Sequence, residues 1–225
     1  MTYDSLIDSE NNNKLINRYS LKEEIFNGIT HGIGALSSII ALVVLVAFAS
    51  INGDALQIVS FSIYGFTLLF LFTSSTLYHS IFHEKSKKVF RVLDHASIYL
   101  VIAGSYTPIA LLAMDGFWGW TILALIWSLA ILGIVLKALK LNKSKSSSAL
   151  PYIGMGWLIV IAIIPMINTL PAGLLAWLLV GGIIYTLGVV FYVCKKIPFN
   201  HGIWHLFVLA GATVHYLGIL FHLAL

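Results

Sequence analysis

Residues 31–50 read HGIGALSSIIALVVLVAFAS, and from Ile39 to Phe48 the stretch carries no polar side chain. A strand of a membrane barrel alternates polar and apolar positions over ~10 residues, and this run does not. About twenty predominantly apolar residues is the length a helix needs to cross the hydrocarbon of a bilayer. The run therefore predicts a membrane-spanning helix.

Six further runs of the same kind follow: Ala55 to Phe82, Val89 to Met114, Phe117 to Leu139, Leu150 to Thr169, Leu174 to Cys194 and His201 to Ala224. The connectors are short and carry turn chemistry, at Asn52-Gly53-Asp54, Asp115-Gly116 and Leu170-Pro171, with a longer Lys/Ser-rich stretch from Asn142 to Ser148. The fold class is all-α, a polytopic membrane protein of seven transmembrane helices. Residues 1–22 read as a polar, Asn-rich cytoplasmic tail with no apolar core of a cleavable signal peptide, and 23–225 as a single transmembrane domain.

Composition excludes the soluble alternatives. Of 225 residues, 59% are hydrophobic and 10% charged, where a soluble domain carries roughly a quarter charged residues. The net charge of +4 could suggest nucleic acid, but the basic residues stand singly or in small groups between apolar runs, so no nucleic-acid partner is expected. A single cysteine, Cys194, excludes a disulfide framework and a thiolate metal cluster. Any metal must be held by histidine or carboxylate.

Polar side chains inside a span are costly and point to function, so their depths matter. The second span runs toward its basic flank, placing His79 six residues before Lys85, with Ser75 one turn deeper. The third span leaves the same side, with Asp94 one turn past Arg91. The seventh starts there too, with His201 and His205 just after Lys196. At ~1.5 Å per residue these groups share one depth. His201 and His205, at i and i+4, lie on one helix face.

His79, His201 and His205 thus make a candidate metal set. Three imidazoles with a water in the fourth position is an open zinc geometry, so the expected cofactor is Zn²⁺, which lowers the pKa of such a water toward ~7. Asp94 is placed to orient or deprotonate it, and Ser75 to hydrogen-bond it or a substrate oxygen. Magnesium or calcium would require more oxygen ligands. Among the other histidines, His83 reads as solvated and His222 as an interface residue. His215 lies ~15 Å too deep to ligate and reads as a packing or hydrogen-bonding group. His95 points toward another span. His31, with Glu24 and Asn27, either caps the first span or faces the site.

The order of motifs is specific. Glu24-x-x-Asn27-x-x-Thr30-His31, Ser75-x-x-x-His79, Leu93-Asp94-His95, Ala103-Gly104-Ser105-Tyr106-Thr107-Pro108 and His201-x-x-x-His205 with the later His215 closely resemble the bacterial hemolysin III family, which is similar to the progestin and adipoQ receptors. The resemblance implies seven helices, an intracellular N-terminus, zinc on His79, His201 and His205 near the cytoplasmic face, and Asp94 and Ser75 beside it. It implies relatives that have been proposed to hydrolyse lipid amides, and a bacterial branch named for haemolysis.

Three functions compete. One is a zinc-dependent hydrolase of a lipid amide or ester, with a membrane lipid as substrate. Another is a non-enzymatic sensor or receptor with structural zinc. The third, a haemolytic pore, is disfavoured because spans five and six carry almost no polar side chains to line a water path.

Orientation follows from charge. All thirteen Lys and Arg fall before the first span or at the junctions of spans two and three, four and five, and six and seven, Arg91 and Lys137 just inside the span ends. At the opposite junctions the only charged residues are Asp54 and Asp115. Positive loops stay in the cytoplasm, so in the plasma membrane the N-terminus is expected inside and the C-terminus outside. Reporters fused after Lys145 and Lys196 should read cytoplasmic and one at the C-terminus external. A cytoplasmic C-terminal reporter would refute an odd span count.

Overall fold

A computed structural model describes residues 19–114, 116–140 and 149–225. Within them all regular structure is helical, and seven helices are long and apolar enough to cross a membrane. They are α1 (Leu21–Asn52), α2 (Ala55–Ser80), α3 (Glu84–Ala113), α4 (Gly116–Lys140), α5 (Leu150–Thr169), α6 (Ala172–Val193) and α7 (Asn200–Ala224). Helices α1 to α4 pack in sequence order, α6 pairs with α7, and α7 returns to α1. The chain is a multi-pass membrane protein: Leu36, Ile40, Val43 and Ile164 are each more than half exposed on the outside of the bundle, where only lipid suits them.

The helix starts differ from the apolar runs. α1 begins ten residues before His31 because Ser20 caps it: the Ser20 hydroxyl accepts from Glu23 N–H at 3.3 Å, and the Glu23 carboxylate accepts from Ser20 N–H at 2.9 Å. This reciprocal pair satisfies two free donors of the first turn. The added residues carry Glu24, Asn27 and Thr30, all buried. A hydropathy window reads such a face as solvated, although it packs inside the bundle. Likewise α3 begins at Glu84, with His83 accepting from Ser86 N–H at 3.4 Å. Most of the expected polar tail, residues 1–18, and the Asp115 and 141–148 connectors lie outside the described residues.

Two helices depart from regular winding, and each departure has a cause. Past Pro108, which offers no N–H, α3 widens into a π-turn over Ile109–Ala113. α5 is interrupted at Trp157, where a 3-10 segment (Leu158–Ala162) joins two short α-helical pieces. Backbone groups freed in a bilayer must find partners, and Tyr106 supplies them. Its hydroxyl accepts from Ile159 N–H at 3.0 Å and donates toward the carbonyls of Gly156 and Met155 at 2.8 and 3.0 Å.

Close approach sets the α2–α3 spacing. A Cβ on Gly104 would lie 2.0 Å from Thr67 Oγ1 and 2.9 Å from Thr67 Cβ. Thr67 is buried, β-branched and hydrogen-bonded to Tyr64 O at 2.8 Å, so it has no room to yield. Gly104→Ala should therefore cost about 1–3 kcal/mol, visible as a lower midpoint of thermal unfolding in detergent. Gly154→Ala, with nothing within 4 Å of the new methyl, should leave the midpoint unchanged or raise it.

Candidate metal centre

Four helices converge at the end of the bundle that carries the basic residues. α1 contributes Glu24, Asn27, Thr30 and His31, whose spacing puts them on one face. α2 gives Ser75 and His79, one turn apart. α3 gives Lys87 and Asp94, two turns apart. α7 gives His201 and His205. All ten are buried.

The start of α7 is shaped for this. Phe199, just before it, holds a left-handed backbone (φ 57°) that non-glycine residues rarely adopt. Its ring is held edge-on by Phe26 of α1, with centroids 5.7 Å apart, and Asn200 Nδ2 donates to Phe191 O at 2.9 Å. The glycine of HGIWH then lets α1 approach. A Cβ on Gly202 would stand 2.3 Å from the Phe26 ring and 2.8 Å from Asn27 Oδ1. The sharp turn and the small residue bring α7 against α1.

His79, His201 and His205 each offer a ring nitrogen such that the three atoms lie within 4.8 Å of one another. They are positioned to hold a metal ion. Partners of the other nitrogens assign the protons. His79 Nδ1 meets Glu24 Oε2 at 2.5 Å; a carboxylate only accepts, so Nδ1 carries the proton. His79 Nε2 is buried and without a hydrogen-bond partner. His205 Nδ1 donates to Asn27 O at 3.3 Å, with Thr30 Oγ1 at 3.4 Å.

His205 Nε2 then faces His201 Nε2 at 3.1 Å. Two ligands of one tetrahedral zinc, each at ~2.0–2.1 Å, would sit about 3.3 Å apart, so the donor set suits such an ion. The carboxylate behind His79 and the carbonyl behind His205 are the second-layer partners that ligating imidazoles ordinarily have. Tyr19 covers the set, its ring stacked on His201 at 4.8 Å between centroids and 20° between planes.

Asp94 and Ser75 come to the same place. Ser75 is fully buried, and its hydroxyl makes no well-formed hydrogen bond although the Asp94 carboxyl lies within its reach. Asp94 Oδ2 lies 3.5 Å from His95 Nδ1 of the same helix.

The remaining histidines separate cleanly. His83 is exposed and caps α3. His215 Nε2 donates to Leu178 O at 3.2 Å, far from the metal set. His222 lies against Gly173. His95 Nδ1 donates to Arg91 O of its own helix at 2.8 Å. His31 caps nothing; it lies inside the site, stacked on His205.

One side chain of the site escaped the sequence reading. Lys87, counted only as a flanking charge, is buried and binds Glu24 Oε1 at 2.7 Å. Glu24, left between a capping and a site-facing role, joins Lys87 to His79. The signal available for Glu24 was its helical spacing with Asn27 and His31; Lys87 had none.

An apolar cavity of about 130 Å³ opens from this site. Asp94 and His31 stand at one end and His215 at the other, with Leu71, Ile98, Val101, Val189 and Val208 among its walls.

Comparison with known proteins agrees with this architecture. A family model described as Haemolysin-III related matches residues 19–216. Hemolysin-3 of Bacillus cereus is 49% identical over 202 residues, covering 90% of this chain and 92% of that protein. The Hemolysin-3 homolog of Bacillus subtilis (strain 168) is 47% identical over 204 residues, covering 91% and 96%. Monocyte to macrophage differentiation factor of Homo sapiens is 34% identical over 203 residues, covering 88% and 83%.

The metal set makes a direct prediction. His79→Ala, His201→Ala and His205→Ala should each lose most bound metal by elemental analysis, while His83→Ala and His222→Ala retain it. Glu24→Gln should weaken metal binding by about 10–100-fold. Equal metal content in all six variants would disprove the site.

Proposed function

We propose, for a chain that belongs to the Haemolysin-III related family, a zinc-dependent hydrolase of a lipid amide or ester in the plasma membrane. The observation that carries this reading is the position of Asp94. The same carboxyl is buried within reach of Ser75 and lines the apolar cavity that opens from the metal set.

His79, His201 and His205 would hold Zn²⁺, which would supply a Lewis acid and lower the pKa of a water there. The chain's own groups do the rest. Glu24 holds the His79 ring in one tautomer and orientation. The cavity walls take the acyl carbons next to the carbonyl and keep bulk water from the scissile bond. Asp94 takes the proton of the attacking water as its oxygen bonds to the carbonyl carbon, then returns that proton to the departing nitrogen or oxygen. Ser75, fully buried and with no well-formed hydrogen bond of its own, donates to an oxygen of the reacting group.

The reading includes an orientation in which the basic end and the N-terminus face the cytoplasm, supported by the one-sided distribution of Lys and Arg. The site then opens to the cytoplasmic leaflet.

Asp94→Asn tests the proposal because it keeps size and hydrogen-bonding reach but removes the base. Zinc content and the thermal midpoint should hold, while turnover of a lipid amide or ester by the purified protein falls by about 10²–10⁴. Wild type inert across a broad lipid panel, together with loss of zinc in Asp94→Asn, would overturn it in favour of a structural zinc in a receptor-like protein.

A further inference from the structure

His31 is 1% exposed, and neither of its ring nitrogens has a hydrogen-bond partner. It is not one of the three residues whose ligand atoms cluster. Its ring is fixed nonetheless: it lies flat on His205, centroids 3.6 Å apart and planes 6° from parallel, and Phe72 meets it edge-on at 5.0 Å and 81°. A neutral imidazole always presents one donor and one acceptor. Burying both unmade is expensive, and this ring has no freedom to turn elsewhere.

The direction of that unused capacity is set by the cavity. His31 and Asp94 both stand on its wall. Four other polar side chains of the same wall have partners of their own. Ser105 donates to Ile102 O, Thr186 donates to Gly182 O and accepts from Trp157, Tyr106 binds the α5 backbone and His215 binds Leu178 O. A ligand that lays an apolar chain along these walls brings its carbonyl to the His31–Asp94 end. A carbonyl oxygen only accepts, as does an ionised carboxylate, so Asp94 cannot hold it. An N–H must.

We propose that His31 is a substrate-binding residue that donates a hydrogen bond to the carbonyl oxygen of an acyl lipid seated in the cavity. This rests on the hydrolase reading for its substrate class, and it assigns His31 to positioning the carbonyl rather than to the metal. The stacked ring acts as a preorganised donor, set before the ligand arrives.

The test uses full-length protein in phosphatidylcholine nanodiscs and two probes that cannot be hydrolysed. Methyl dodecyl ketone carries the carbonyl and tetradecane does not; each is titrated against a bound fluorescent fatty-acyl reporter. His31→Phe, which keeps a stacking ring, should weaken the ketone by about three- to tenfold, leave tetradecane unchanged and retain wild-type zinc. His31→Gln, which keeps an N–H, should recover part of the ketone affinity. An independent reading uses ¹⁵N-histidine NMR of wild type. The imidazole signal missing from His31→Gln should move with the ketone and stay still with tetradecane.

Unchanged ketone affinity in His31→Phe overturns the proposal, as does zinc loss in both variants or an NMR signal indifferent to the ketone. Should His31→Phe fail to fold, the NMR comparison decides. Wild type that shows the His31 contact yet hydrolyses no lipid amide or ester overturns the hydrolase reading and leaves this contact standing.

Discussion

The Glu24 carboxylate holds the functional end of this bundle together. A lone charge at that depth would be costly, and a buried charge survives only with close partners. Glu24 has two: the Lys87 ammonium at 2.7 Å and the His79 imidazole at 2.5 Å. One residue thereby joins α1, α2 and α3. It also determines which nitrogen of His79 is free for a metal. Removing Lys87 would leave the carboxylate buried without its counter-ion, and removing His79 would leave Oε2 without its partner.

Everything else at that end is arranged around the same face of α1. Asn27 lends its carbonyl to His205, Thr30 approaches the same ring, and His31 stacks upon it. α1 is thus the scaffold against which α2 and α7 present their imidazoles, although it contributes no ligand to the cluster. The capping box at Ser20 matters for this reason. It extends α1 the extra turns that carry Glu24 and Asn27.

The fold was legible because a bilayer imposes one length and one composition on every span, and both can be read residue by residue. The imidazole trio was legible because the i,i+4 spacing in α7 and the distance of His79 from Lys85 fix depth. Depth does not say which helices touch. Nothing in spacing tells that α7 closes back onto α1, so the stacking of His31 on His205 and the covering ring of Tyr19 could not be foreseen. Lys87 was hidden differently. A lysine two residues past another lysine beside a turn reads as a solvated flank, and only the neighbouring Glu24 makes its burial tolerable. Hydropathy likewise placed the start of α1 too late, because it registers polarity and not the partner that satisfies it.

The interruption of α5 bears on how the chain is made. Segments enter a membrane from the N-terminal end, and a helix broken at its middle cannot satisfy its own backbone there. The groups around Trp157 are met by one hydroxyl, that of Tyr106, on a helix synthesised some fifty residues earlier. Biogenesis therefore has a built-in sequence: the α3 clip must already stand in the bilayer before α5 can settle in its broken form. Until the two meet, α5 is better served by winding as an unbroken helix, so the mature shape of this segment is acquired through docking and not through insertion.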